Sequence, residues 1–347
     1  MVDIFLADRL VYKISKLTTK NILVVDLKEE DFNQNHNIVD WCINTEVDVE
    51  LVVFDYTYRY TRNFDEFALL TSLNDLNLNY NWMIVTSDFN FYKSAIPNII
   101  YYPIHAINML EKDIVEVDII AKRPHILSFL SYHLHSHRLI SLLKLYQRDW
   151  FNNCLLNFQT IESMSEHQQL MLDNAIGFLT EYEKEVLQRL CDELPFVADE
   201  SDNLDRLQSI SNRGFSECCI NMFTEADYDM PFLTEKSIKP FLSGQFTAVL
   251  GNGQLYAHLR ELGFDLFSEY INIDITPRKP INCMYDTLRY RLETLLNQIT
   301  KLIPMIDKVW DTTYNRRKHN YDLARSPELL NQLTQPLNDY LADYNKY

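Results

Sequence analysis

Four short runs in the first 120 residues are almost wholly apolar, and they restrict the fold more than anything else in the chain. They are residues 21–27 (NILVVDL), 50–56 (ELVVFDY), 82–87 (WMIVTS) and 98–102 (NIIYY). A strand with one wet face alternates apolar and polar residues, whereas a strand covered on both faces does not. Segments long enough for a crossover helix separate the first three runs. One of them, residues 63–73, sets Phe64, Phe67, Ala68 and Thr71 at spacings of three and four. The rhythm is strand, helix, strand, which predicts a parallel α/β sheet. Two of the predicted strands end in acids, Asp26 and Asp55, and Asp88 follows a third.

A second unit begins near residue 123. Residues 124–131 (PHILSFLS) read as a strand and 132–137 as a polar loop. Residues 138–150 read as an amphipathic helix carrying Leu139, Leu142, Leu143 and Tyr146, and 154–158 as a strand. Two helices are predicted within 165–194, with capping-box spacing at Ser165/Gln168 and Thr180/Glu183. Residues 192–205 are acidic and rich in turn formers, as an exposed loop would be. The α/β pattern then resumes with strands over 217–224 and 246–250. Helices follow from 235 to about 243, capped by Thr234, and over 254–262, closed by Gly263. From 282 onward the chain reads as helical, with an apolar stripe from Leu288 to Ile303. This tail either mediates a dimer or crosses back onto the N-terminal domain. The expected organisation is an N-terminal α/β domain over 1–122, a second over 123–280 with a helical insertion at 165–195, and a helical segment over 281–347.

Composition removes several function classes. No apolar run approaches 18 residues, so no membrane-spanning helix is expected. The first ten residues, MVDIFLADRL, carry acids where a signal peptide carries positive charge. The six cysteines are scattered and form no CxxC. A cytoplasmic protein with reduced thiols is the expectation. The net charge of −17 repels nucleic acid and anionic membranes as a whole, so an anionic ligand needs a local basic pocket.

Glycine marks where such a pocket would lie. There are only six glycines in 347 residues, and five of them (Gly214, Gly244, Gly251, Gly253 and Gly263) fall in one stretch of the second unit. Residues 221–263 (NMFTEADYDMPFLTEKSIKPFLSGQFTAVLGNGQLYAHLRELG) contain two strand ends, each followed by a helix N-terminus. Open α/β sheets bind ligands at strand ends, and helix N-termini favour anions. Lys236 adds a point charge suited to a diphosphate, and Glu235 beside it can accept from ribose hydroxyls.

The run FLTEKSIKPFLSG…AVLG resembles the donor-binding motif of fucosyltransferase-like glycosyltransferases of the GT-B fold. With LRELGF after it, it is still more similar to a poorly characterised glycosyltransferase-like group of phages and bacteria. That group also carries a basic segment opening its second domain. Here the matching stretch, residues 128–138 (SFLSYHLHSHR), keeps the His137-Arg138 pair but has Ser131-Tyr132 and His135 where the group has further Asn and Arg residues. The resemblance covers about 65 residues of the chain. It implies two Rossmann-like domains holding a nucleotide-sugar between them, and sugar transfer without a metal or cofactor. On that likeness Glu235, opened by Thr234, holds the ribose, and Lys236 with His137-Arg138 neutralises the diphosphate. Glu225 lies at the donor sugar or nucleotide, and Gly251-Asn252-Gly253 packs close to the nucleotide. Arg213 is a supplementary phosphate contact by its place beside a strand. The base that deprotonates the acceptor comes from the N-terminal domain, with Asp55, Asp88 and His105 as the candidates. The acceptor is a glycan, a small molecule or DNA.

Three other signals compete. His133, His135 and His137 alternate as a metal-binding strand would. Asp227-Tyr228-Asp229 is a DxD, the manganese-binding signature of GT-A enzymes, although two α/β halves favour GT-B. Residues 278–325 hold ten Lys/Arg against five Asp/Glu and include Arg316, Arg317 and Lys318 among aromatics. Such a patch is the footprint expected of a glycosyltransferase that decorates DNA bases. A non-catalytic scaffold of the same fold is the remaining alternative.

Overall fold

The computed structural model describes residues 10, 14, 17–18, 22–26, 50–56, 81–87, 98–112, 116–131, 135–158, 169, 172–173, 175–197, 210, 212–224, 233–251, 253–272 and 284–346. The fold is α/β, and it divides into two units, Met1–Ile107 with Leu330–Tyr347, and Asn108–Leu329.

In the first unit the four apolar runs form a parallel sheet. Its strands are β1 (Ile22–Asp26), β2 (Leu51–Tyr56), β3 (Asn81–Thr86) and β4 (Ile99–Tyr101), in that spatial order. Leu51, Val52, Val53 and Phe54 have no exposed surface, and Met83, Ile84 and Val85 almost none. Burial on both faces explains the missing alternation. Each successive strand adds at the same edge, so the described strands contain no reversal of order. After β4 the chain enters α1 (Ile104–Leu110).

The second unit is ordered differently. Its strands are β5 (His125–Leu130), β6 (Cys154–Phe158), β7 (Phe196–Val197), β8 (Cys218–Thr224) and β9 (Phe246–Leu250). The spatial order is β7-β6-β5-β8-β9, with β7 alone antiparallel. In chain order this reads 3-2-1-4-5, the order of a doubly wound sheet with its third strand reversed. The direction of winding switches between β5 and β8.

The two-residue strand β7 lies within the segment expected to be an exposed loop. Two residues are too few for a periodic signal. The pairing is supported by Phe196, whose ring lies 5.8 Å from that of Phe151 in an edge contact.

The helices of this unit are α2 (Ser136–Tyr146), α3 (Glu181–Glu193), α4 (Arg213–Ser216), α5 (Glu235–Leu242), α6 (Gly253–Glu261), α7 (Met284–Leu302), α8 (Ile306–Thr312) and α9 (Tyr314–Ala324). Thr180 and Glu183 form the predicted capping box at the start of α3. Gly263, at φ +96°, closes α6, and Gly244, at φ +66°, makes the turn into β9. The α7 stripe from Leu288 to Leu302 is buried. Helix α2 differs from its amphipathic reading. It ends at Tyr146, and Ser136 to Leu145 are buried all round. Its polar side is covered because Lys144 meets Glu183 at 2.5 Å and Glu293 at 3.2 Å.

Two boundaries differ from the sequence expectation. Residues 108–122 belong to the second unit because Arg123 and Arg317 tie them there. Arg123 donates to the carbonyls of Asp118 (3.2 Å) and Ser243 (3.1 Å), and Arg317 to that of Ile119 (2.7 Å). The helical tail is not one segment either. Helix α10 (Pro327–Tyr344) belongs to the first unit from Leu330 on. Leu333, Leu337 and Leu341 repeat every four residues and are buried. Tyr340 donates to the Trp82 carbonyl (3.3 Å) and Tyr344 to that of Glu50 (2.6 Å), so the tail crosses back onto the N-terminal unit.

Candidate functional site

The reversal between β5 and β8 is occupied by a guanidinium. Arg138, in the first turn of α2, is only 4% exposed. Its Nε donates to Thr224 Oγ1 at 3.0 Å, and a terminal nitrogen donates to Ser131 Oγ at 3.2 Å. Thr224 is the last residue of β8, and Ser131 directly follows β5. One arginine thus spans the carboxyl ends of the two strands between which the sheet changes winding direction. Crevices that bind ligands in open α/β sheets lie at this point. One layer below, Asn221 of β8 donates to Ser128 of β5 at 3.0 Å, which pins the same two strands together.

Two helix N-termini follow the neighbouring strand ends. Helix α5 begins after β8, where Thr234 accepts from the Lys236 N–H at 3.2 Å. Glu235 is 9% exposed, and Lys236 Nζ lies 3.6 Å from its carboxylate. Helix α6 begins after β9. Among the described residues a Cβ at Gly251 would meet only Val249, at 3.6 Å, and one at Gly253 would meet nothing within 4 Å. Neither has positive φ, so nothing described within the chain demands glycine there. Gly214 is a contrast, because a Cβ there would lie 2.8 Å from Leu130.

The structure brings His137, Arg138, Thr234, Glu235, Lys236, Gly251 and Gly253 to the carboxyl end of the second sheet. It does not bring Arg213 there. Arg213 opens α4, before the first residue of β8, and its guanidinium forks onto Glu217 with two bonds of 2.8 Å. The seven residues of β8 separate it from Thr224, about 20 Å at the rise of a strand. Glu225 and Asn252 lie outside the described residues, as do His133, Asp88, Asp227 and Asp229. The rings of His135 and His137 stack at 5.5 Å. Among the described residues no group of three His, Cys, Asp or Glu is placed to hold a metal ion.

In the first unit, Asp55 lies at the carboxyl end of β2, in register with Asp26 on β1. His105 is half-buried in the first turn of α1, just past β4.

The centre of the basic run, Arg317, is not at the surface, and its two neighbours are held by acids. Arg317 is 1% exposed, lies 3.5 Å over the Trp310 ring, and donates to the carbonyls of Ile119, Gly244 and Trp310. Burial pushes it down to about 10. Arg316 is forked onto Asp265 and Glu269, and Lys318 is bonded to Asp322. Interleaved cations and aromatics look the same in sequence whether they face water or the core.

Sequence reading also missed cations. Lys239 is 6% exposed beneath Glu235, with its Nζ 5.7 Å from the centre of the Phe215 ring. Burial lowers it to about 8. Arg291, on α7, donates to the Gly251 carbonyl at 2.8 Å. Forty residues separate that pair, and no local signal links them.

Among the described residues no helix is long and apolar enough to cross a membrane. A scan of protein-family models, a search of curated proteins and a search of solved structures each find no match to this chain.

Proposed function

We propose that the chain is a metal-independent glycosyltransferase with two Rossmann-like domains of the GT-B type, which moves a sugar from a nucleotide-sugar donor. The observation that carries this reading is the Arg138 guanidinium seated across the β5–β8 reversal, with the α5 and α6 N-termini beside it. Breaking a glycosidic bond to a nucleoside diphosphate builds negative charge on the leaving group. Fixed cations and helix N–H groups aimed at that charge lower the barrier without a metal. Arg138 and Lys236 supply the charge, Glu235 takes the ribose hydroxyls, and Glu225 lies at the donor sugar. The first unit takes the acceptor, with the base drawn from Asp55, Asp88 and His105. The work is done in the cytoplasm. Arg213 has no part in it, because it lies at the other end of β8.

The DNA-base variant of this reading gains nothing from Arg316, Arg317 and Lys318, since each is held by other groups of its own unit. The decisive test is a panel of nucleotide-sugars with mass-spectrometric detection of sugar loss and transfer. A nucleoside diphosphate at a hundred times its Kd stabilises the native state by about 2.7 kcal/mol, which a melting curve resolves. Absence of any shift with UDP, GDP, ADP, CMP or dTDP overturns the proposal. A shift without sugar loss or transfer points to the scaffold.

A further inference from the structure

Arg291 of helix α7 lies 40 residues downstream of Gly251, and three side chains of this helix reach three different parts of the second unit. Arg289 donates to the Phe178 carbonyl, ahead of α3, at 2.7 Å. Arg291 donates to the Gly251 carbonyl at 2.8 Å. Glu293 accepts from Lys144 at 3.2 Å and Arg148 at 2.5 Å, and so holds the helix that carries Arg138. Thr224 and Leu250 are register partners on β8 and β9. Arg138 is bonded to the first of this pair, and Arg291 to the residue after the second. Two guanidinium groups are therefore anchored at the ends of adjacent strands, and neighbouring strands run about 5 Å apart. One arrives from the helix after β5, the other from outside the sheet altogether.

We propose that Arg291 is a positioning residue of the candidate site. By holding the Gly251 carbonyl it fixes the turn that aims the first N–H groups of α6 at a bound phosphate, and its charge adds to that of Arg138 at the same sheet end. A Cβ on Gly253 would meet no described atom within 4 Å, so Gly253 adds no side-chain packing there. The bond from Arg291 supplies a long-range restraint on the residue two before it. The inference rests on the donor-site reading above and adds a residue to it that no motif contains.

The test compares Arg291→Met with Arg289→Met in the full chain. Each removes a guanidinium-to-carbonyl bond from the same helix, and Arg289→Met also removes the 3.4 Å pair with Glu183, away from the strand ends. Melting temperature and the Kd for UDP or GDP, whichever the wild type binds, are measured for both. Arg291→Met is expected to weaken nucleotide binding about tenfold or more, in line with a lost charged hydrogen bond. Arg289→Met leaves that Kd unchanged while shifting the melting temperature by a similar amount. Arg291→Lys recovers part of the affinity, because a single donor still reaches one carbonyl. Equal affinity of Arg291→Met and wild type overturns the inference alone, as does equal weakening by both substitutions. A wild type that binds no nucleotide overturns the donor-site reading and the inference with it.

Discussion

Arg138 and Thr224 are joined by a 3.0 Å bond across the one place where the second sheet reverses its winding. The guanidinium is buried, so its Nε has little water to fall back on. Thr224→Val keeps the shape and removes the acceptor. It should cost about 1–3 kcal/mol in urea unfolding, the penalty of leaving a buried donor unpaired. Arg138→Lys should lose most of the nucleotide-induced rise in melting temperature, because an ammonium cannot bond Ser131 and Thr224 and still present a flat fork to a phosphate. Retention of the full rise by Arg138→Lys would remove Arg138 from the donor site.

Lys144 and Glu183 link α2 to α3. Burial pushes the Glu183 carboxyl up, but its bonds to Lys144 and Thr180 outweigh that and hold it at about 2. A carboxylate with a depressed folded-state value stabilises fully above its unfolded value of 4.5 and loses that stabilisation as pH falls toward 2. Lys144→Met should cost about 3 kcal/mol at pH 7, the lower end for a buried pair that loses one partner, because Thr180 and Arg289 still hold the Glu183 carboxylate. It should also flatten the stability profile between pH 4.5 and pH 2. Parallel acid limbs for wild type and variant would contradict this.

Arg317 should be the most sensitive residue of the basic run. Arg317→Ala exposes three backbone carbonyls and empties the face of Trp310. A loss of about 3 kcal/mol or more is expected from chemical denaturation. Lys318→Ala, at the surface, should unfold like wild type. Equal midpoints for the two variants would mean that the carbonyl bonds and the Trp310 contact of Arg317 add nothing to stability.

The glycines separate by physical cause. Gly263→Ala forces a side chain into φ +96° and should cost about 1–2 kcal/mol. Gly253→Ala meets nothing within 4 Å and should leave the unfolding midpoint unchanged. If Gly253 faces a nucleotide, its alanine variant loses affinity without losing stability. Unchanged affinity would place the ligand elsewhere.

The sequence by itself determined the local structure. The nine described strands, apart from β7, lie within a residue or so of the runs that mark them. The Thr180–Glu183 box, the Thr234 cap and the Gly263 closure are also plain from residue spacing. Helix pattern and strand burial depend on neighbours within a few positions, so they leave a trace in the chain. The order of strands leaves none. Both halves read in sequence as alternating strands and helices, yet among the described strands only the second sheet reverses its winding, and this decides which sheet has a switch point at its strand ends. Tertiary structure alone showed that Arg138 meets Thr224 across 86 residues and that Arg213 lies at the wrong end of β8. It also withdrew Arg317 into the core and returned the tail to the first unit. Each is a long-range pairing, set by which surfaces can be buried together, and a linear pattern carries no record of that choice.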